Sequence, residues 1–324
     1  MRRALICGIG GQDGSYLAAL LLDKGYEVWG TSRDAETATF SNLQRLGLVG
    51  RVKLLSMAPN DFRSVFIAVE HSEPDEIYYL SGQSSVGLSF GQPTETLESI
   101  VSGVLNMLEV MRLRGREMRL YNAGSSECFG DTGDRVADED TPFRPRSPYA
   151  VAKASAHWLV ANYREAYGLH CCTGILFNHE SPLRPPRFVT RKIVSGAARI
   201  AAGRRERLVL GNLSIARDWG WAPEYVDAMW RMLAAETPED FVVATGQTAW
   251  LEDFVAEAFA YHGLDWRDHV EISAEFARPS DIQVSRADST RAAERLGWRA
   301  QTHMRDVVRK MCAAEVQQNE STEK

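Results

Sequence analysis

The chain has 324 residues, 44% of them hydrophobic and 25% charged, which is enough to bury one large core or two lobes. Its formal net charge is −6 and it has no basic tail, which argues against nucleic acid as the main partner. No apolar run is long enough to span a bilayer. The five cysteines lack disulfide or metal-site spacing, and no signal peptide is evident, so we expect a reducing cytoplasmic location and no metal.

The amino-terminal stretch predicts a strand, a glycine-rich turn and a helix in direct succession. Residues 4–7 form a short apolar run that is typical of a buried parallel strand. Leu17, Leu20 and Leu21 then form a helical stripe. Glycines in such a turn let the backbone approach a pyrophosphate, which rests on the helix N-terminus. The candidate dinucleotide-binding residues of this turn are Gly8, Gly11, Gln12, Asp13 and Gly14.

The end of the predicted second strand, Glu27–Ser32, bears on which dinucleotide is bound. At this point of a Rossmann unit an acidic residue selects a free ribose 2′-hydroxyl, whereas an arginine accepts a 2′-phosphate. The chain carries Arg33 and Asp34 side by side. These two residues leave both NADP and NAD open.

Strands and helices alternate along the first half of the chain. Further strands are predicted at 52–55, 76–80, 118–122 and 170–177, and helices at 62–70, 99–112 and 149–167. This alternation predicts an α/β fold with a doubly wound parallel (Rossmann) sheet in a domain of residues 1–177. Residues 178–316, with helices at 193–202, 252–262 and 289–296, are expected to form a smaller C-terminal α/β lobe that partly returns to the first sheet. Residues 317–324 form a polar tail that is expected to fray.

Two reactive clusters lie between residues 121 and 153. Ser125, Ser126 and Glu127 follow the predicted fifth strand, at the sheet edge where ligands bind in open parallel sheets. Tyr149 and Lys153 are four residues apart, on one face of a helix. An ammonium and a helix N-terminus beside a phenol favour the phenolate, which can then exchange a proton with a sugar or alcohol hydroxyl.

An ordinary amphipathic helix with a buried tyrosine and a lysine that reaches solvent would give the same Tyr-Lys spacing. Taken together, however, the glycine turn, the Ser-Ser-Glu cluster and the Tyr-Lys pair resemble the extended short-chain dehydrogenase/reductase family. Within that family, longer stretches resemble the GDP-mannose 4,6-dehydratases. These stretches cover residues 11–17, 146–153, 162–168, 175–182, 188–192, 217–220 and 242–246.

The resemblance implies an internal redox dehydration that converts GDP-mannose to GDP-4-keto-6-deoxymannose. Tyr149, helped by Lys153, would take the proton of the C4 hydroxyl while a hydride passes from C4 to the nicotinamide. Ser125 would polarise the developing carbonyl. Glu127 would take the C5 proton and then protonate the leaving C6 hydroxyl, and the hydride would return to C6.

The resemblance also implies ligand contacts over much of the chain. Beyond the glycine turn, the implied cofactor contacts are Arg33, Leu80, Gln83, His179 and Arg184. The implied sugar-nucleotide contacts, which lie mainly in the C-terminal lobe, are Ser84, Ser126, Asn178, Val189, Lys192, Arg217, Arg278 and Asp281. The family suggests NADP. Asp34 replaces a usual second arginine, and Met57 and Ala58 replace a Gly-Asp pair that contacts adenine, so NAD stays open.

Three other functions fit parts of the pattern. A 4,6-dehydratase of another GDP-sugar, such as GDP-manno-heptose, would share every motif. A 4-ketosugar reductase or epimerase would not need Glu127, and a non-catalytic nucleotide sensor would not need Tyr149 or Lys153. The resemblance further implies a homodimer or homotetramer. The residues between Arg33 and Arg45 form no obvious core element, and residues 34–42 have few basic side chains, so a dimer is favoured.

Overall fold

The predicted doubly wound parallel sheet is present in the structure, a computed structural model that describes residues 1–273, 275 and 279–322, with side chains as far as 318. Every pairing in this sheet is parallel. Its carboxyl ends therefore meet at one edge. The seven strands, in spatial order, are β10 (Phe241–Val243), β6 (His170–Leu176), β5 (Arg119–Ala123), β4 (Glu76–Tyr79), β1 (Arg3–Cys7), β2 (Glu27–Ser32) and β3 (Lys53–Ser56).

Helices cover both faces of the sheet. The helices are α1 (Gln12–Asp23), α2 (Ser41–Arg45), α3 (Phe62–Ser72), α4 (Val86–Gly91), α5 (Pro93–Leu97), α6 (Gly103–Arg114), α7 (Pro148–Tyr167), α8 (Val189–Ala201), α9 (Ala222–Ala234), α10 (Leu251–Ala260), α11 (Thr290–Leu296) and α12 (Met304–Thr322). Successive residues of β1 point to opposite faces: Ile6 packs with α1 and α9, and Leu5 packs with α3, α6 and α7. Both faces are buried, which explains the uninterrupted apolar run of β1.

Strands after residue 177 form two smaller sheets. One contains β7 (Asn178–Glu180), β9 (Ala216–Trp221) and β11 (Thr248–Trp250), and the other pairs β8 (Leu208–Leu210) with β12 (Val270–Ile272). A separate apolar cluster joins them to α8, α10 and α12. β10 belongs instead to the main sheet, where it pairs with β6.

Several elements differ from the sequence-based prediction. The predicted helix at 99–112 is the end of a longer helical run in which α5, a π-helical turn (Glu98–Ser102) and α6 follow one another. Helices α2, α4, α5, α9 and α12 were not predicted. The first part of the polar tail expected at 317–324 is helical, because α12 extends to Thr322. Elsewhere the predicted elements differ only at their ends.

The segment 34–45 was expected to have no core role, and this prediction is wrong. Leu43, on α2, is fully buried in the cluster that also contains Ile9 and Leu17. Phe40 has a φ of 46°, which is uncommon for a residue other than glycine, and packs against Gly10. Asn42 Nδ2 donates to the carbonyl oxygen of Gly10 at 3.1 Å. The segment therefore folds back over the chain's own glycine turn.

Among the residues that the structure describes, no helix combines the length and the apolar character needed to cross a membrane.

Candidate active site

A cavity of about 710 Å³ opens at the carboxyl edge of the main sheet. It lies between this edge and the smaller sheets. Fifteen of the residues predicted from the sequence line it: Asp13, Leu80, Ser84, Ser125, Ser126, Glu127, Tyr149, Lys153, Asn178, His179, Arg184, Val189, Lys192, Arg217 and Asp281. Residues from distant parts of the chain thus share one cavity.

Other predicted residues are placed elsewhere. Gly8, Gly11, Gln12, Gly14, Arg33 and Gln83 are not part of the cavity wall. The first four belong to the turn between β1 and α1 and to the start of α1. The Gln83 side chain stabilises the loop to which it belongs, because its Nε2 donates to the carbonyl oxygen of Ser85 at 2.7 Å. Arg278 lies outside the described residues.

The helix that carries Tyr149 and Lys153 begins as predicted. Ser147 Oγ accepts from the Ala150 N–H at 3.1 Å, and Pro148 occupies the first helical position. Both functional side chains are buried. Lys153 Nζ donates to the carbonyl oxygen of Ala123, at the end of β5, at 2.7 Å, and lies 5.8 Å from the centre of the Tyr149 ring. The lysine thus connects α7 to the sheet edge.

Burial decides the protonation of this pair. Burial lowers the pKa of Lys153 to about 8 and raises the pKa of Tyr149 above its ordinary value, although a hydrogen bond with Ser125 opposes the second shift. The prediction that the ammonium and the helix terminus would favour the phenolate is therefore wrong for the protein in this state. Loss of solvation outweighs both effects.

Ser125 and Glu127 lie on a short 3₁₀ turn, Ser126–Phe129, just beyond β5. Gly124 precedes it, and a Cβ there would lie 2.7 Å from Thr173 and 2.9 Å from the carbonyl oxygen of Gly174, so only glycine fits. The Glu127 N–H donates to Ser125 Oγ at 3.3 Å. Ser125 is buried and Glu127 is half-buried, and both face the cavity that Tyr149 lines.

The glycine turn brings the backbone close to β4. Gly8 has a φ of 84°, and a Cβ there would lie 3.2 Å from the backbone of Leu80 and Ser81. A Cβ on Gly14 would lie 2.5 Å from the carbonyl oxygen of Gly8. Gly11, at the N-cap of α1, has no side chain with which to cap the first N–H groups. The turn therefore suits an anionic group bound through backbone N–H groups.

His179 and Asp13 join α1 to β7. His179 Nε2 lies 3.0 Å from Asp13 Oδ2, and His179 Nδ1 lies 2.7 Å from the carbonyl oxygen of Phe177. Both partners are acceptors, which favours a proton on each ring nitrogen and therefore the imidazolium form. Burial disfavours both charges, but their attraction and hydrogen bond keep the pKa of Asp13 below and the pKa of His179 above its ordinary value.

Cationic side chains line the part of the cavity formed by residues after 183. Lys192 Nζ donates to the carbonyl oxygen of Val209 at 2.7 Å, and burial lowers its pKa. Arg217 is buried, and its Nη2 lies 3.4 Å from Asp281 Oδ1. Arg187 was not predicted, yet it lines the cavity and its Nη2 lies 3.5 Å from Ser84 Oγ. Its position between the predicted residues Arg184 and Val189 is the signal that could have identified it.

Sequence reasoning also missed apolar and polar residues in the wall of the cavity. Trp219 follows Arg217 by two positions on β9, and strand alternation places both side chains on the same face. Asn212 and Ile215 come from the loop between β8 and β9. No local motif distinguishes this loop. Among the described residues, no group of three His, Cys, Asp or Glu side chains is arranged to hold a metal ion.

Arg33 and Asp34 differ in how their side chains are used. The Arg33 side chain is 83% exposed, and its guanidinium lies 3.5 Å from Glu95. The Asp34 carboxylate accepts from the N–H groups of Glu36 and Thr37 at 3.0 and 3.1 Å and from the Thr37 hydroxyl at 2.7 Å. Asp34 thus stabilises a local turn.

Solved structures share this fold. DesIV, a dTDP-glucose 4,6-dehydratase from Streptomyces venezuelae with NAD and TYD bound, superposes with a TM-score of 0.87 at 21% identity, covering 99% of this chain and 98% of its own. RMD from Pseudomonas aeruginosa, complexed with NADPH, has a TM-score of 0.79 at 21% identity and covers 98% of this chain and 99% of its own. The protein therefore has the same overall fold as these two structures.

Sequence comparison is more specific. The family model described as GDP-mannose 4,6 dehydratase matches residues 5–311. GDP-mannose 4,6 dehydratase 1 of Arabidopsis thaliana is 44% identical over 321 residues, which cover 95% of this chain and 88% of that protein. The chain belongs to the GDP-mannose 4,6-dehydratase family, and the resemblance read from its motifs is confirmed.

The buried Lys153 gives a prediction for stability. Its pKa is about 8 in the folded chain against an ordinary 10.5, so between these values the unfolded chain binds more protons and the unfolding free energy rises with pH. Below pH 8 the full cost of burying the ammonium is present. We expect Lys153→Met to raise the unfolding free energy near pH 7 by about 2 kcal/mol, after loss of the bond to Ala123.

Urea unfolding of the parent and the Lys153→Met variant checks this at two pH values. Near pH 10 the parent lysine is mostly neutral, so the advantage of the variant should disappear. An equal advantage near pH 7 and near pH 10 would contradict this account of the buried lysine.

Proposed function

We propose that this protein is a GDP-mannose 4,6-dehydratase that converts GDP-mannose to GDP-4-keto-6-deoxymannose and water. The observation that carries the proposal is the position of Glu127, which lines the same cavity as Ser125, Tyr149 and Lys153. A tyrosine and a lysine suffice for oxidation or reduction at a hydroxyl. Loss of water needs in addition a group that takes a carbon-bound proton and delivers a proton to the leaving oxygen.

A nicotinamide dinucleotide fits the residues at the sheet edge. The Gly8–Gly14 turn lets a pyrophosphate approach the N-terminus of α1. Leu80, Gln83 and Arg184 lie on neighbouring loops, and His179 lies on β7. When bound, the nicotinamide would accept a hydride from the sugar and return it, so that the reaction consumes no oxidant. We propose that residues 1–177 hold mainly this cofactor.

The first proton transfer falls to Tyr149. Its phenolate takes the proton of the sugar C4 hydroxyl while Ser125 donates a hydrogen bond to the developing C4 carbonyl. Burial favours the neutral forms of both Tyr149 and Lys153, so the phenolate forms when the neutral Lys153 amine takes the phenol proton. The resulting ammonium and phenolate compensate each other's charge in the cavity.

The second proton transfer falls to Glu127. A C4 carbonyl acidifies the C5 proton, which Glu127 takes as a base. The same carboxyl group then donates that proton to the C6 hydroxyl, and the C6–O bond breaks to release water. The half-buried position of Glu127 at the cavity wall suits a group that must change protonation state in each turnover.

We assign the sugar nucleotide mainly to residues 178–316. Lys192 and Arg217 suit a diphosphate because they are cations with several N–H donors, and we add Arg187 to them. Asn178, Val189 and Asp281 from this part of the chain, with Ser84 and Ser126 from the sheet edge, complete the proposed contacts. Arg278 remains a prediction from the sequence.

Replacing Glu127 tests the proposed role of this residue. Glu127→Gln keeps the size of the side chain but cannot take the C5 proton, so we expect water loss from GDP-mannose to fall by at least about a hundredfold. Oxidation at C4 should persist in part. Mass spectrometry of quenched reactions distinguishes the two products. Glu294→Gln, an exposed change on α11, is the control, and dehydration at the parent rate by Glu127→Gln would refute this assignment.

The cofactor is expected to be NADP. The exposed Arg33 guanidinium makes a long contact of 3.5 Å with Glu95 and can turn from it toward a 2′-phosphate. The Asp34 carboxylate, in contrast, accepts hydrogen bonds from its own local turn. Denaturing the purified protein and identifying the released dinucleotide measures this directly. NADP should predominate, and Arg33→Met should lower its retention more than that of added NAD. Release of NAD alone would show that Arg33 does not bind a phosphate.

We propose a homo-oligomer, with a dimer as the basic unit, that pairs through α6 and α7. These helices pack together and expose apolar side chains, among them Leu113 on α6 and Val151 and Trp158 on α7, the last 61% exposed. A symmetric pairing of one patch with itself is the commonest assembly. The five buried, free cysteines fit the reducing cytoplasm that we propose as its location.

Light scattering at micromolar concentration tests the assembly. The parent should have the mass of two or four chains, and Trp158→Glu should reduce it because a charge at the centre of the patch opposes burial. Leu88→Glu, an exposed apolar residue on α4, controls for a general effect of surface charge. A parent that remains a monomer with cofactor and GDP-sugar present would contradict this proposal.

A further inference from the structure

The loop that follows Glu127 is bonded to a segment from near the end of the chain. Asp131 Oδ2 accepts from the Gln283 N–H at 3.0 Å, and Asp131 Oδ1 accepts from the Val284 N–H at 3.3 Å. The Thr132 N–H donates to the carbonyl oxygen of Val284 at 3.0 Å. The Arg286 N–H donates to Thr132 Oγ1 at 3.0 Å. Asp131 and Thr132 thus hold four backbone groups of a segment that lies 152 to 154 residues away along the chain.

The same distant segment is bonded to the strand that carries Arg217. The Ala216 N–H donates to the carbonyl oxygen of Gln283 at 2.7 Å, and the Ser285 N–H donates to that of Ala216 at 3.0 Å. Arg217 Nη1 lies 3.5 Å from the carbonyl oxygen of Gln283. Asp281, which pairs with Arg217, lies two residues before Gln283. The segment 281–286 therefore links the proposed sugar-nucleotide contacts to the loop after Glu127.

On its other side this loop is held close to the turn of Glu127. Gly130, with a φ of 70°, ends the 3₁₀ turn, and its N–H donates to the carbonyl oxygen of Glu127 at 3.2 Å. The Arg144 N–H donates to the carbonyl oxygen of Cys128 at 2.8 Å. The backbone of the turn is thus fixed to the loop that Asp131 begins. A displacement of residues 283–286 would therefore reach the 3₁₀ turn of Glu127 through a short series of hydrogen bonds.

We propose that Asp131 and Thr132 are positioning residues that fix the position of Glu127 relative to the sugar-nucleotide end of the cavity. Neither residue lines the cavity, so neither touches substrate. This inference rests on the proposed function. The inference adds to the proposed function a physical connection between binding of the nucleotide and the position of the base, Glu127. Misplacement of a base by a fraction of an ångström slows proton transfer from carbon.

Because Asp131 is exposed, its replacement can distinguish a positioning role from a purely structural one. Asp131 is exposed, so water can replace it as acceptor for the two N–H groups, and Asp131→Ala should change the melting temperature by only a few degrees. Dehydration should be affected far more, because water would hold neither segment in place. Oxidation at C4 by Tyr149 does not depend on this loop and should keep its rate.

The test follows both steps in the holoenzyme mixed with GDP-mannose. For Asp131→Ala we expect water loss about tenfold slower than in the parent, with an oxidised, undehydrated sugar accumulating together with reduced nicotinamide. Thr132→Val should behave alike. The control is Asp138→Ala in the same loop, because the Asp138 carboxylate accepts from Asp140 N at 3.1 Å and from Thr141 Oγ1 at 2.7 Å, both within the loop. This variant should partition between the two products as the parent does.

Hydrogen exchange provides a measurement that does not need turnover. GDP should slow exchange of residues 130–137 in the parent and in Asp138→Ala, and should fail to do so in Asp131→Ala. If the parent protein does not dehydrate GDP-mannose, the proposed function is wrong, while this protection still tests the connection. Equal protection and equal partition in the parent and Asp131→Ala would overturn the inference, as would an equal slowing of both steps.

Discussion

The parallel direction of every strand in the main sheet is the constraint on which the site depends. Because the carboxyl ends of β1, β4, β5 and β6 meet at one edge, the loops that follow them meet there too. The glycine turn, the Ser125–Glu127 turn and the residues after β6 come from widely separated parts of the chain and reach one cavity for this reason. The smaller sheets then cover that edge, and the cavity lies between them.

Covering the edge determines the acid–base chemistry. Removing a charged group from water costs several kcal/mol unless another charge or several hydrogen bonds compensate it. Tyr149 and Lys153 lack full compensation, so burial shifts both toward their neutral forms. His179 and Asp13 lie 3.0 Å apart, and their attraction shifts the pKa of each toward its charged form despite burial. The pKa values of the two buried pairs are thus shifted in opposite directions, because the attraction between opposite charges exceeds the cost of burial only in the second pair.

Local patterns predicted those parts of the fold that local geometry determines. The β1–turn–α1 unit is recognisable because Gly8 requires a positive φ and Gly14 leaves no room for a Cβ beside Gly8. The start of α7 is recognisable because Ser147 and Pro148 satisfy the first turn of the helix. The π-helical turn at Glu98–Ser102 was not predicted, because a single five-residue turn is too short to produce an apolar pattern of its own. The role of α2 was missed because its packing depends on Phe40, a single residue in an uncommon conformation.

By itself the sequence determined the Rossmann architecture and the family, and it predicted the reactive side chains Ser125, Glu127, Tyr149 and Lys153, since each of these patterns depends on residues close together in the chain. Only the tertiary structure decided the protonation of Tyr149 and Lys153, because solvation depends on what packs around a group. It alone showed that Arg187 and Trp219 line the cavity, and that Asp131 bonds to residues 283–284. Contacts between residues so far apart in the chain leave no local pattern, because they arise when separate elements pack together.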